Sequence, residues 1–293
     1  MTPIEHYPEL AKILGLSDIY FKREDLHKYG SHKGRSIPIM IDHYFKAGDR
    51  RFAISSSGNA ALAAALYIRE LNENSNDSID LDIFVGKNIS PLKLEKLKNV
   101  AANSKGEHIR ILIKEHTLQA LNQAVEDGWR SLRQSTDDIA LIGYKSLAEE
   151  LSTIKNAGAL FIGTSSGTTA QALAQHFLDK KMPIQVHIVQ TSSCHPIIDE
   201  FEPYDGNNDK SIADAIVSLT SKRKSALIPL INETGGYGWT ASNEEIETAI
   251  ELVQKHTNLK ISNNSALSIV GAMQAIYRDW EIDGSVICLI CGD

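Results

Sequence analysis

Ala159-Leu160-Phe161-Ile162-Gly163-Thr164-Ser165-Ser166-Gly167-Thr168-Thr169 is the stretch on which the fold turns. Its first four residues are a continuous apolar run, the pattern of a strand buried on both faces. Glycine and hydroxyl residues follow, and then a helix-like stretch over 168–179. Small residues let the backbone approach a ligand closely. The first N–H groups of a helix lack internal partners and sit at the positive end of its dipole, so such a junction suits an anion. The same residues would equally make a hydroxyl-capped helix start with no ligand, and the loop alone does not choose between the two.

Outward from this junction, apolar runs and amphipathic stretches alternate along almost the whole chain. Strands are expected over 19–22, 51–56, 81–85, 109–114, 139–143, 159–163, 184–190 and 285–291. Helices are expected over 60–71, 91–102, 118–134, 168–179, 244–255 and 265–280. In 244–255, Ile246, Ile250, Leu252 and Val253 fall near helical spacing, with charges on the other face. Strand–helix alternation predicts an α/β protein with a mainly parallel sheet and helices on its faces. Soft segments are the polar loop 72–78 and the loop 202–210, rich in Asp, Asn, Pro and Gly. No internal repeat is visible.

Composition excludes several function classes. Of 293 residues, 42% are hydrophobic and 23% charged, the balance of an ordinary globular protein. Acidic residues outnumber basic ones, 37 against 30, so the net charge is −7 and nucleic acid is not the expected partner. The longest apolar run, 60–68, falls well short of the ~20 residues that span a bilayer, so no membrane partner is expected. Met1-Thr2-Pro3-Ile4-Glu5-His6 lacks the basic and apolar regions of a signal peptide. Three cysteines make no disulfide framework, and the expected location is the reducing cytoplasm.

Two more junctions carry chemistry. Ser55-Ser56-Ser57-Gly58-Asn59 opens an alanine-rich helix and presents hydroxyls and an amide; by itself it reads as a cap at least as readily as a site. Near the start runs Tyr29-Gly30-Ser31-His32-Lys33-Gly34-Arg35, where small residues leave room around Lys33. A lone lysine is nearly always a solvated charge. Beside an anion cradle it becomes interesting, because lysine amines form Schiff bases with aldehydes.

Together, in order, these segments resemble the fold type II pyridoxal-phosphate enzymes, the group of tryptophan synthase β chain, threonine synthase, serine/threonine dehydratase and cysteine synthase. Thr2-Pro3 is similar to the family's opening Thr-Pro, and Gly30-Ser31-His32-Lys33-Gly34-Arg35 to its Gly-Ser-Phe-Lys-Asp-Arg Schiff-base segment. Ser56-Ser57-Gly58-Asn59 matches its substrate-carboxylate loop. Gly143-Tyr144-Lys145-Ser146 resembles Gly-Gln-Lys-Thr, Ser211-Ile212-Ala213-Asp214 resembles Thr-Ile-Ala-Asp, and Ile290-Cys291-Gly292-Asp293 stands where relatives close with Leu-Thr-Gly-Asn. The resemblance is collinear over essentially the whole chain.

The resemblance implies two α/β domains with the cofactor, pyridoxal 5′-phosphate, in the cleft between them. The larger would comprise 1–38 and 146–293, and the smaller 39–145. Lys33 would hold the cofactor and act as base on the substrate Cα. Thr164, Ser165, Ser166, Gly167 and Thr168 would bind the cofactor phosphate, Asn59 its 3′-oxygen, and Cys291 would face the pyridine nitrogen. Ser56, Ser57 and Gly58 would take the carboxylate of a small amino-acid substrate. A homodimer and a bare catalytic core without a regulatory domain are expected on the same ground.

Departures stand beside the matches. Ser165 and Ser166 replace glycines of many relatives, Ala60 replaces a carboxylate-binding Thr or His, and Cys291 is a weaker donor than a hydroxyl. The segments 223–227, 233–236, 242–246 and 265–267 are most like threonine synthase, which converts phosphohomoserine to threonine. The Ser-Ser-Gly-Asn loop equally suits a dehydratase or a cysteine synthase-like replacement enzyme.

Three rival readings remain. Gly163-Thr164-Ser165-Ser166-Gly167 fits the Gly-x-Ser-x-Gly elbow of hydrolases, with Asp205 or Asp214 and His256 downstream, but that leaves Lys33 and Ser56-Ser57-Gly58-Asn59 without a purpose. Cys288 and Cys291 are spaced as a metal or redox pair, yet positions three apart on a strand point to opposite faces, and no metal is expected. His32, by its position, shapes the cofactor site rather than binding metal. A protein that keeps the fold without catalysis is the third, against which Lys33 argues.

Overall fold

The computed structural model describes residues 1–74, 77–204, 206 and 209–292. Asp205, a candidate triad acid, and Asp293 of the closing motif lie outside them, as do parts of the two soft loops. In chain order the first elements are β1 (Ile4–His6), α1 (Pro8–Leu14), β2 (Ile19–Arg23), α2 (Lys33–Lys46), β3 (Arg51–Ser55) and α3 (Asn59–Asn74). Next come β4 (Asp80–Gly86), α4 (Pro91–Ala102), β5 (Ile109–Lys114), α5 (Thr117–Glu126), β6 (Arg130–Ser131), α6 (Ile139–Ile142) and α7 (Lys145–Leu151). The remainder are β7 (Ala157–Gly163), α8 (Thr168–Asp179), β8 (Gln185–Thr191), α9 (Lys224–Glu233), β9 (Gly238–Ala241), α10 (Asn243–Thr257), α11 (Asn263–Tyr277) and β10 (Ser285–Ile290).

Two compact units emerge: Met1–His27 with Tyr144–Asp293, and Lys28–Gly143. The larger holds a six-stranded sheet in the order β1-β2-β10-β7-β8-β9, parallel except for the antiparallel edge strand β1. Every residue of β10 is buried, and its side chains divide by parity. Val286, Cys288 and Ile290 join a core with α1, α10 and α11, while Ile287 and Leu289 join a second core with α7, α8 and α9. A sheet covered on both faces demands that unbroken apolar run, because successive side chains enter opposite cores.

A buried ion network closes one end of this unit. The ammonium of Lys22, fully shielded from solvent, donates to the Thr2 carbonyl at 2.7 Å and to the Glu150 carboxylate. The Thr2 hydroxyl donates to Glu24. On the far side, His187 is stacked on Phe161 at 4.4 Å, accepts from the Trp239 indole at Nδ1, and meets Gln185 through Nε2. Burial alone drops the His187 pKa from 6.5 to about 3.

The smaller unit holds a parallel four-stranded sheet, β5-β4-β3-β6. Phe52, Ile54, Leu81, Ile83 and Val85 pack with α2, α3 and α4 on one face; Ala53 and Phe84 meet Leu121 and Ala124 of α5 on the other. The Tyr29 hydroxyl donates to Glu70 at 2.6 Å and the Tyr67 hydroxyl to Asp42, fastening α2 and the loop before it to α3. Burial and these carboxylates push both phenols well above the ordinary value.

The fold is the doubly covered α/β architecture expected, with local corrections. Residues 139–143 form a short helix, not a strand: the Asp137 carboxylate accepts the Ile139 N–H at 3.0 Å and starts the turn. Ser36 of α2 donates to the Ala140 carbonyl at 2.9 Å, and a Cβ at Gly143 would lie 2.4 Å from Ser36 Cα. Four apolar residues carry no period that separates strand from helix. The helix expected over 118–134 stops at Glu126, where Gly128 at φ +83° turns the chain into β6. Strands β1 and β9 and helices α1, α2, α7 and α9 fall outside the expected elements. Among the described residues no helix is long and apolar enough to cross a membrane.

Candidate functional site

In the larger unit the β7–α8 junction is built from both ends. Gly163 ends β7 against the first turns of α11, where a Cβ would lie 2.9 Å from the Asn264 carbonyl. Gly167, at φ +89°, ends the loop, and a Cβ there would lie 2.7 Å from Leu227. Both positions therefore need glycine. Thr164 spends its N–H on the Val189 carbonyl at 2.8 Å and its hydroxyl on the Ile162 carbonyl at 3.1 Å. Ser166 and Thr168 hydroxyls lie 3.1 Å apart at the start of α8. Among the described residues, the N–H groups of Ser165, Ser166 and Gly167 take no protein partner.

The loop's carbonyls point elsewhere. Gln190, fully buried at the end of β8, donates to the Ser165 carbonyl at 3.2 Å, and the Ser221 hydroxyl donates to the Ser166 carbonyl at 2.8 Å. Arg223, buried beside α8, donates to Gln171 at 3.1 Å. These contacts leave three successive backbone donors at a helix N-terminus beside the Ser166 and Thr168 hydroxyls, a donor set that suits a phosphate monoester.

Cys291 follows β10. Its sulfur lies 3.8 Å from the Ser265 hydroxyl, and Ser265 accepts the Gly292 N–H at 3.3 Å. The first turn of α11 thus touches the ends of both β7 and β10, bringing the loop 164–168 and Cys291 to one rim. Asn264 extends that rim: its side chain accepts from Ala215 N–H at 3.0 Å and donates to Asp214 at 3.3 Å. Sequence reading singled out neither Asn264, Gln190 nor Ser221.

In the smaller unit Lys33 is the first residue of α2, half-buried, with its N–H on the Ser31 hydroxyl at 3.3 Å. Ser31 and His32 are buried. Gly30, at φ +82°, sits where a Cβ would lie 3.2 Å from Leu62 of α3, and Leu62 N–H in turn bonds the Gly58 carbonyl at 3.1 Å. The loop carrying Lys33 and the Ser56-Ser57-Gly58-Asn59 loop are therefore neighbours. The second loop is half-exposed throughout, and the Ser56 hydroxyl accepts the Gly58 N–H at 3.3 Å. Beside it, at the carboxyl ends of β4 and β5, lies a cavity of about 450 Å³ lined by Ser57, Gly86, Lys87, Asn88, Ile89 and Glu115. Lys87 and Glu115 pair across it at 3.1 Å.

The rivals find less. Among the described residues no hydrogen bond joins Ser165 to His256 or Asp214. Cys288 sends its sulfur to the Ser268 carbonyl at 3.6 Å, away from Cys291, and burial pushes its thiol pKa up. No group of three His, Cys, Asp or Glu among the described residues is placed to hold a metal.

Comparison with known proteins decides the family. A pyridoxal-phosphate-dependent enzyme model matches residues 1–292. The chain belongs to that family. Its cofactor is pyridoxal 5′-phosphate. The threonine synthase of Mycobacterium leprae is 23% identical over 302 aligned residues, covering 100% of this chain and 81% of that one. The human L-serine dehydratase/L-threonine deaminase is 29% identical over 170 residues, 57% of this chain and 49% of that one. Among solved structures, a pyridoxal 5′-phosphate-dependent aspartate racemase superposes with TM-score 0.81 at 20% identity, covering 99% of this chain and 89% of the other. A threonine deaminase isoform from Solanum lycopersicum gives TM-score 0.79, also at 20% identity, over 99% and 83%. These superpositions establish the fold as that of the fold type II enzymes.

Proposed function

We propose that this protein is a lyase of the threonine synthase kind, which takes O-phosphohomoserine and water to threonine and inorganic phosphate. The observation that carries the reading is coverage: threonine synthases align with the entire chain, whereas the mammalian dehydratases align with 57% of it.

When bound, the cofactor supplies the electron sink for charge developing at the substrate Cα. The chain does the rest. Lys33 would hold the cofactor through its side-chain nitrogen and would serve as the base for the substrate Cα proton. The hydroxyls of Ser56 and Ser57, with Gly58, orient the substrate carboxylate, and Asn59 holds the cofactor's 3′-oxygen. Ser165, Ser166, Gly167 and Thr168 anchor the cofactor phosphate, to which Thr164 contributes as the buried base of the loop. Cys291, whose sulfur lies 3.8 Å from the Ser265 hydroxyl, is the residue that would face the pyridine nitrogen. A homodimer and a cytoplasmic location complete the proposal, and sedimentation tests the first.

The deciding experiment is a substrate panel of O-phosphohomoserine, threonine, serine and O-acetylserine, followed for phosphate, threonine and oxo-acid. Phosphate release matched mole for mole by threonine is the expected result. The second reading, a serine or threonine dehydratase, is favoured by the higher identity of its aligned part. Oxo-acid from serine or threonine, with phosphohomoserine left untouched, establishes that reading instead.

A further inference from the structure

Ser165 and Ser166 stand where glycines are common in related enzymes, and a serine-bearing loop has fewer ways to aim its peptide planes than a glycine one. Two side chains from outside the loop set those planes. Gln190 Nε2 donates to the Ser165 carbonyl at 3.2 Å, and Ser221 Oγ donates to the Ser166 carbonyl at 2.8 Å. No cis peptide occurs among the described residues. In a trans peptide, the carbonyl of one residue and the N–H of the next point in opposite directions. Fixing the Ser165 carbonyl on Gln190 therefore turns the Ser166 N–H the other way, and fixing the Ser166 carbonyl on Ser221 does the same for the Gly167 N–H.

Both anchors are themselves held. Gln190 is fully buried, and its amide oxygen accepts from Ile197 N–H at 2.9 Å and Ile198 N–H at 3.3 Å. Its side chain cannot rotate away without stranding the buried Ile197 N–H, a cost beyond the bond it makes to Ser165. Ser221 accepts the Arg223 N–H at 3.3 Å just before α9 begins. Gln190 and Ser221 thus come from separate segments and meet the loop on its carbonyl side.

We propose that Gln190 and Ser221 are positioning residues that pre-organise the loop 165–167 for the phosphate of the cofactor. This rests on the reading of that loop as the phosphate cradle. Neither residue touches the cofactor; each acts through a backbone carbonyl, so that two N–H donors face the phosphate before it arrives. Pre-organised donors bind an anion without the cost of reorienting at binding.

The test compares pyridoxal 5′-phosphate with pyridoxal, which lacks the phosphate, as ligands of the full chain, read by equilibrium absorbance titration. Wild type is expected to prefer the phosphate form strongly. Ser221→Ala and Gln190→Met should each weaken phosphate-form binding about fivefold, the loss expected when a hydrogen bond worth about 1 kcal/mol goes. Binding of pyridoxal should stay unchanged, and Ser221→Thr, which keeps the hydroxyl, should restore the preference. A merely structural role would weaken both ligands together. That result overturns the inference, as does a full preference in both variants while Gly167→Ala erases it; the cradle then stands without its positioning residues. A wild type that binds the two ligands equally well overturns the cradle reading and this inference with it.

Discussion

The two hydroxyl-rich strand-to-helix junctions read alike in sequence and are built differently. At β7–α8, Thr164 and Thr168 are buried, Gly167 is forced to φ +89°, and two carbonyls are tied from behind. At β3–α3 every residue from Ser55 to Ala60 is half-exposed, and a Cβ at Gly58 would meet nothing within 4 Å. The first is fixed by its own packing. The second is held by little beyond its backbone. That division suits a group held through many turnovers on one side and a substrate exchanged at each turnover on the other.

The largest effect that bears on the contrast is at Lys33. Lys33→Ala is expected to lower turnover by at least a thousandfold, because both the covalent link and the base go. The phosphate socket, untouched, should still retain the cofactor, though more weakly. Borohydride reduction followed by peptide mass mapping should place the cofactor on Lys33 in wild type; a different modified lysine would refute the assignment.

The glycine pair separates the junctions directly. Gly167→Ala adds a Cβ at a left-handed φ and 2.7 Å from Leu227, so it should cost about 1–3 kcal/mol in thermal unfolding and loosen the cofactor. Gly58→Ala should change stability by less than about 0.5 kcal/mol, because the site is open, and should act instead on the KM for the amino acid. Equal stability losses at the two positions would break the contrast.

The smallest effect is a pH dependence outside both junctions. His187 is neutral in the folded protein, its pKa lowered from 6.5 to about 3 by burial. A depressed histidine pKa means the unfolded chain binds the extra proton first. Its neutral burial is therefore unpenalised above pH 6.5, and stability is lost as pH falls from there toward 3. At pH 5 the loss reaches about 2 kcal/mol, at 1.36 kcal/mol per unit. Urea midpoints of wild type should drop between pH 6.5 and 5, and His187→Gln, which keeps an acceptor and a donor, should flatten that slope.

Much of this was legible in the sequence, and the limits have physical reasons. Runs such as Ala159-Leu160-Phe161-Ile162 announce strands buried on both faces, and the helical spacing of Ile246, Ile250, Leu252 and Val253 announces α10. Helix α2 was missed because its first turns carry Gly34 and Pro38, both poor helix residues, and packing of Ile37, Met40 and Ile41 overrides them. The motif residues stood out because their chemistry is in their side chains. Gln190 and Ser221 did not, since each acts on a carbonyl distant in the chain, and no local pattern marks a residue for that.

The strand order carries a consequence for how the protein is made. β10 lies between β2 and β7, so a strand translated more than a hundred residues after either neighbour's start belongs in the middle of the larger sheet. Until it emerges from the ribosome, β2 and β7 have no partner between them, and two apolar cores stay open along the gap. Strands β3 to β6 are consecutive and face no such wait. A nascent chain would thus pass through a long interval with its smaller sheet complete and its larger one missing the keystone, the stage at which a chaperone that shields apolar strands has most to protect.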